Sequence, residues 1–344
     1  MKEKLFGKTL DQLKDVVKQL GLPGFTAKQI ADWLYKKDIG TIEEMTNLSL
    51  KARTLLEKGF DLGISSFTTV QTSTDGTKKY LFPVNDGKSV ESAYIPDKNR
   101  ATLCVSSQVG CRMGCRFCMT GKQGFMGNLT AGEIVNQIRS LPERDTLTNI
   151  VYMGMGEPLD NFQNVMQSLE ILTSDWGFAM SPRRITVSSI GIIQAMEKFL
   201  NESECHLAIS MHTPFDEERK MLMPAENNHP IEQIIDVIRK FDFSGQRRVS
   251  FEYIVFKGLN DTPRHINQLA KLLNGIRCRI NLIRFHPVPG SEWVSPEFAV
   301  INSFMEGLNK KGIRTTLRAS RGQDIDAACG LLSTKENDAN GLKG

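Results

Sequence analysis

Apolar positions recur at helical spacing early in the chain, alternate over the next thirty or so residues, and then settle into a strand-helix rhythm. Leu10, Leu13, Val16, Val17 and Leu20 share one helical face, and Gly21 with Pro23 ends that run. Thr26 reads as the cap of a second helix with Ile30, Trp33 and Leu34 on one side and Lys28, Lys36 and Lys37 on exposed parts. Thr41 and Glu44 have capping-box spacing, and Leu50, Leu55 and Leu56 predict a further helix ending near Gly59. Residues 66–96 change to period two. Segments 68–74 and 78–82 flank Asp75-Gly76, a hairpin signal because glycine accepts positive φ at no steric cost, and 89–95 reads as a third strand closed by Pro96.

From about Ala101 the strands alternate with helices, the mark of a parallel sheet built from βαβ units. The predicted strands are 102–106, 149–153, 184–189, 206–212, 249–256 and 279–283, with 313–317 as a candidate seventh. Thr130 and Glu133 form a capping box ahead of Ile134, Val135 and Ile138, and Ile231, Ile234, Ile235 and Ile238 mark another helix. Six parallel strands suffice for a partial barrel. Residues 335–344 are polar and read as a frayed tail.

Composition narrows this picture modestly. With 344 residues, 40% of them hydrophobic, the chain can bury one large core and a small second domain. No apolar run is long enough to cross a bilayer, and the start, Met1 to Phe6, lacks the apolar core of a signal peptide. The expectation is a cytoplasmic protein with no membrane partner. A net charge of +4 permits a nucleic-acid partner without requiring one. Residues 1–85 hold 13 Lys and Arg against 10 Asp and Glu, so the helical segment reads equally as an RNA-docking module or as a solvated surface.

The cysteines change the picture most. There are seven, an odd number, which argues for metal and redox chemistry in a reducing compartment over a disulfide framework. Cys111, Cys115 and Cys118 stand together in a loop between a predicted strand and a predicted helix. Soft thiolates at this spacing suit zinc or an iron-sulfur centre, and three of them leave one coordination position open. A zinc knuckle completed by a distant histidine, or three unrelated cysteines, are the plainer readings. In parallel β/α architectures ligands bind at the carboxyl ends of the strands. That rule selects Gly154-Met155-Gly156-Glu157-Pro158, where glycines let backbone approach a ligand, then Ser188, Ser189, Ser210, His212 and Asn281. Each has an ordinary alternative as a turn, a cap or a packed loop residue. Glu91 by itself reads as a solvent-facing strand residue, and Cys104, Cys205, Cys278 and Cys329 as packed small side chains.

Four stretches together carry a family resemblance: 103–111 (LCVSSQVGC), the cysteine loop with 120–125 (TGKQGF), 154–159 (GMGEPL) and 324–330 (DIDAACG). They resemble the RlmN/Cfr family of radical S-adenosylmethionine (SAM) RNA methyltransferases, and the likeness runs over nearly the whole chain. The resemblance implies an α/β fold, a radical SAM partial (β/α)6 barrel with a small N-terminal helical domain and an antiparallel β extension. The units would be 1–62, an RNA-docking helical domain; 63–96, the β extension; 97–322, the radical SAM core; 323–334, a loop bearing a methylated cysteine; and the tail.

It also implies the chemistry. Cys111, Cys115 and Cys118 would hold a 4Fe-4S cluster whose open iron takes SAM, and Gly156, Glu157, Ser188, Ser210, Met211, His212 and Asn281 would contact SAM. Carbon 2 of adenine is too electron-poor to attack a methyl group directly. In the family, one SAM methylates a cysteine matched here by Cys329, and a 5′-deoxyadenosyl radical from a second SAM activates that methyl group for addition to the ring. Glu91 matches the base that removes the ring proton, and Cys104 matches the thiol that releases the product by forming a disulfide with Cys329. The implied partners are 23S rRNA, tRNA and an electron donor such as flavodoxin, with the protein a monomer. Arg314, Arg318 and Arg321 read as phosphate contacts. Arg284, His286, Gln323 and Leu331 depart from the usual family residues, while Arg321-Gly322 and Asp326 lean towards the RlmN branch. Carbon 8 modification in the manner of Cfr, a radical SAM activase or maturase acting on a protein, and a non-enzymatic metal-containing RNA-binding module are the alternatives.

Overall fold

The computed structural model describes residues 2–334, and the frayed tail expected at 335–344 lies outside them. Ten strands form one sheet: β1 Thr69–Thr72, β2 Lys78–Pro83, β3 Ser89–Asp97, β4 Arg100–Cys104, β5 Asn149–Tyr152, β6 Ile185–Ser189, β7 His206–Ser210, β8 Val249–Val255, β9 Cys278–Arg284 and β10 Arg314–Leu317. Their spatial order repeats their chain order. The first four form an antiparallel meander, and from β4 onward every neighbour is parallel. Right-handed crossovers that all step in one direction place every connecting helix on the same face, so the sheet curls as in a barrel. Strands β1 and β10 each have one neighbour, so the barrel is open. This is the expected architecture, with 313–317 taking its place as the seventh parallel strand.

Alternation along each strand separates two chemistries. Outward residues such as Val187, Leu207, Ile209, Phe251, Tyr253, Ile280 and Leu282 are buried against helical Ile134, Ile138, Leu169, Phe199, Ile234, Phe304 and Leu308. Each fully buried aliphatic or aromatic side chain contributes about 1.5–3 kcal/mol. The inward positions are mostly polar, among them Ser188, Ser210, Glu252, Asn281 and Thr316.

The N-terminal helices are α1 Leu10–Gln19, α2 Thr26–Lys36 and α3 Leu50–Gly59. Thr9 and Gln12 form the capping box of α1, and Ser49 caps α3. Thr26 is not a cap. Its N–H closes a turn onto the Pro23 carbonyl at 2.9 Å, which makes Thr26 the first helical residue, with its side chain buried. The Thr41 N–H and hydroxyl do donate to Glu44, at 3.0 and 3.1 Å, but no helix follows. Ile42, Met45 and Leu48 are all buried, a spacing of three that successive tight turns satisfy. This module does not close its own core: Leu13, Ile30, Leu34 and Tyr35 pack in one cluster with Val135, Ile171 and Trp176 of the barrel. Among the described residues no helix is long and apolar enough to cross a membrane.

Candidate active site

After β4 the chain makes a short strand, Gln108–Gly110, paired antiparallel with Phe125–Asn128, and these two bracket the cysteine loop. The Cys111 N–H donates to the Gly124 carbonyl at 3.0 Å and closes the loop at its base. A short helix, α4 Met119–Lys122, completes it. Cys111 is buried, and Cys115 and Cys118 are half-buried against Phe117, Ile190, Leu222, Phe256 and Phe285. Burial pushes the Cys111 thiol up to about 12 and Cys115 well above its ordinary value, with the neighbouring thiols adding to the rise. Such an environment resists a bare thiolate and favours one paired with a cationic centre. Among the described residues no three His, Cys, Asp or Glu side chains converge on a single-ion position. Three soft thiolates on one short, largely apolar loop are a donor set that fits a 4Fe-4S cluster.

The strand-end residues divide into two groups. Ser188, Ser210 and Asn281 lie on the inner face, and Asn281 donates to Glu252 at 2.8 Å while accepting from the Thr316 hydroxyl at 3.1 Å. Met211 is fully buried in the core. Glu157 is buried and accepts N–H bonds from Leu159 at 3.0 Å and Ile190 at 2.9 Å, tying the loop after β5 to the loop after β6. Burial lifts its carboxyl to about 7 against those hydrogen bonds. His212 has φ +62° and accepts the Ile254 N–H on Nδ1 at 3.0 Å. Burial, with the Arg219 charge adding to it, holds the ring neutral down to about pH 3. Its ring meets Phe117 of the cysteine loop edge-on, with centroids 4.7 Å apart. Gly156 packs closely against another segment of the chain. A Cβ there would lie 2.5 Å from the Gln108 side chain, so this glycine, with φ +97°, admits the protein's own chain.

One cavity of about 290 Å³ joins the cysteine loop to the far end of the sequence. Cys104, Cys118, Cys329 and Arg318 all line it. Cys104 is buried, and its thiol is pushed up to about 12 chiefly by that burial. Cys329 opens into the cavity; the surrounding protein raises its pKa, while a hydrogen bond and the charge of Arg318 pull it down. The Cys329 loop is strapped on both sides. Asp75 accepts the Gly322 N–H at 2.9 Å, and the Ser73 hydroxyl and Thr74 N–H donate to Asp324 at 2.5 and 3.1 Å. On the other side the Thr120 hydroxyl donates to the Leu332 carbonyl at 2.8 Å.

The radical SAM superfamily model matches residues 105–273, and the model of the ribosomal RNA large subunit methyltransferase N-terminal domain matches residues 3–61. A relative from Parabacteroides distasonis, named "Probable dual-specificity RNA methyltransferase RlmN", is 56% identical over 98% of both chains. The chain belongs to the RlmN family. The "Dual-specificity RNA methyltransferase RlmN" of Syntrophobacter fumaroxidans is 42% identical over 94% of this chain and 96% of its own. A crystal structure of a radical SAM methyltransferase from Sphaerobacter thermophilus superposes with a TM-score of 0.90 at 38% identity, covering 96% of this chain and 99% of the other. Membership of the RlmN family brings with it the 4Fe-4S cluster and SAM as cofactors.

Within this RlmN family site, Glu252 escapes a reading of local motifs, and Arg318 has a place beyond the phosphate contact expected of it. Glu252 on β8 accepts from Asn281 and lies 3.6 Å from Arg318. Arg318, expected to contact phosphate, turns into the cavity between the two thiols. Its N–H bonds to the Leu282 carbonyl at 2.8 Å and extends the inward alternation of Arg314 and Thr316 by one step. Glu91 is the expected residue that the cavity does not include. It is buried, paired with Lys79 at 3.0 Å and bonded to the Ser333 N–H at 2.7 Å, and it faces a separate groove with Asp324, Ile325 and Asp326. Ala93 and Ala327 pack beside Cys104 between the two spaces. Cys205 is a core residue and Cys278 packs half-buried against it.

Proposed function

We propose that this protein is a radical SAM RNA methyltransferase that methylates carbon 2 of an adenine in the peptidyl transferase centre of 23S rRNA and of an adenine next to the tRNA anticodon, carrying the new carbon on Cys329. The observation that most supports the reading is the single cavity bounded by Cys104, Cys118 and Cys329. The names of the relatives agree with it.

Cys111, Cys115 and Cys118 would hold the cluster, and Gly156, Glu157, Ser188, Ser210, Met211, His212 and Asn281 shape the surrounding loops and strand ends. Bound there, cluster and SAM supply a methyl group and the radical chemistry that an electron-poor ring carbon requires. The chain supplies the rest. The Arg318 charge beside Cys329 favours its thiolate, the form that accepts a methyl group. The high pKa of Cys104 keeps the second thiol protonated and passive until release. Release then needs the Cys104 sulfur to attack the Cys329 sulfur: an S–S bond forms, the carbon-sulfur bond breaks with its electron pair on carbon, and that carbon takes up a proton. A dithiol reductant returns both cysteines to thiols. Glu91 is assigned the ring proton, because burial raises its pKa above the ordinary carboxyl value. This role requires residues 324–328 to shift, since they separate Glu91 from the cavity. The reading also calls for a one-electron donor such as flavodoxin and for a monomeric protein.

Liquid chromatography with mass spectrometry of nucleosides tests it, after anaerobic incubation of reconstituted protein with SAM, dithionite and a 23S rRNA fragment or tRNA. The expected product is 2-methyladenosine. Finding 8-methyladenosine overturns the position, and SAM cleavage with unmodified RNA overturns the substrate.

A further inference from the structure

At the end of the sheet away from the cysteine loop, the inner face carries a row of arginines with no close ion pair among the described residues. Arg279 and Arg314 lie directly opposite each other on β9 and β10. Arg248 immediately precedes β8, whose Ser250 is opposite Arg279, so Arg248 shares that face one step along. Arg183 and Arg184 precede β6, and Arg100 opens β4. Among the described residues none of these six guanidinium groups forms an ion pair with a carboxylate. Asp97 is opposite Arg100 across the strands but pairs with Arg321, at 3.9 Å.

Excess cations do not explain the row, because the chain holds 39 acidic residues against 43 Lys and Arg. Like charges directly opposite one another destabilise a sheet. An anion from outside the chain would relieve that repulsion, and most of these side chains are exposed to receive one. The field is visible at His206. Burial together with Arg248, Arg279 and Arg183 depresses this imidazole to about 4, and its Nδ1 accepts the Arg248 N–H at 3.1 Å. Arg100 and Arg318 both line the thiol cavity, and Arg279 and Arg314 are register partners on the same face. The cations therefore form a track along the concave face, continuous with the cavity.

We infer that this arginine row binds the sugar-phosphate backbone of the RNA whose adenine enters the thiol cavity. The inference rests on the RNA methyltransferase reading. Guanidinium forks match phosphate oxygens bidentately, and a line of them on a concave face suits a nucleic-acid strand. An acidic folded protein, such as a reductant, would need a convex or flat cationic surface.

The test compares wild type, R248Q/R279Q and R248K/R279K, each checked for iron content and melting temperature. RNA binding is measured by fluorescence anisotropy across salt concentrations, and methylation with dithionite as electron source. In the Gln variant the slope of log affinity against log salt should become shallower by about 1.4, for two lost phosphate contacts at about 0.7 each. KM for RNA should rise roughly tenfold with little change in kcat, and the Lys variant should keep most of the slope. A wild-type slope and KM in the Gln variant overturn the inference. So does a defect seen only with a protein reductant and absent with dithionite, which would assign the row to that protein. A wild-type enzyme that methylates no RNA overturns the underlying reading instead, and is recognised before any variant is compared.

Discussion

The backbone N–H of Met119, the residue after Cys118, donates to the carbonyl of Gly330, the residue after Cys329, at 2.8 Å. One peptide-to-peptide bond thus joins the cysteine loop to the loop carrying the second thiol, across more than two hundred residues of sequence. Thr120 to Leu332 adds a second bond beside it. Replacing Thr120 by Val leaves the Leu332 carbonyl without this partner, at a local cost of about 1–3 kcal/mol. The expected result is slower methylation of Cys329, measured by peptide mass spectrometry, with iron content unchanged.

Cys329→Ala should abolish methylated RNA while the protein still assembles its cluster. Cys104→Ala should differ in kind: without the attacking sulfur the base stays bonded to Cys329, and a protein-RNA adduct should persist on denaturing gels. Two variants with the same product spectrum as wild type would remove the thiol relay.

Arg318 lowers the pKa of Cys329 against the rise caused by burial. In Arg318→Gln the thiol should titrate higher, so the rate of Cys329 methylation at neutral pH should fall and its pH profile move to the alkaline side. A profile that keeps its midpoint would leave Arg318 a packing role only.

The Asp75 clasp should open in acid. Burial opposes ionisation, but hydrogen bonds from Thr77, Gly322 and Ser73 hold the carboxyl at about 2, below its ordinary 3.8. A depressed carboxyl contributes stability that is full above the unfolded value and is lost as pH falls through the folded one. Cleavage of the 322–334 loop by an acid-tolerant protease should therefore accelerate between about pH 4 and pH 2. In Asp75→Ala the loop should already be susceptible at neutral pH.

His212→Phe removes the acceptor for the buried Ile254 N–H and puts a bulky side chain at positive φ. A loss of about 1–3 kcal/mol is expected by denaturant titration for the unsatisfied N–H. Because His212 contacts the Phe117 ring, reduced iron retention should accompany the loss. Full iron retention would show that this contact does not hold the cysteine loop.

Much of the architecture was legible because its signals are local. Periodicity marked Leu10 to Leu20 as a helix, Asp75-Gly76 as a hairpin turn, and all ten strands of the main sheet to within two residues of their ends. The three-cysteine spacing needed only eight consecutive residues. Misreadings arose where a correct local pairing served another end. Thr41 and Glu44 do bond, yet the buried spacing of Ile42, Met45 and Leu48 favours turns. The close approach of Gly156 to Gln108 joins separate segments and was legible in neither.

Residue types and their near-neighbour spacing determined the strand-helix alternation, the thiol donor set and, through motif resemblance, the family. They could not determine which residues share a space, because that depends on strand register and loop packing between distant segments. Asp75 meets Gly322, Thr120 meets Leu332, and Arg318 turns inward only because β10 continues alternating past its last ladder pair. The same register lined Arg248, Arg279 and Arg314 along one face, whereas packing of the Cys329 loop leaves Glu91 in a separate groove with Asp324, Ile325 and Asp326. In a sheet a shift of one residue turns every side chain to the opposite face, and no local stretch of sequence contains that information.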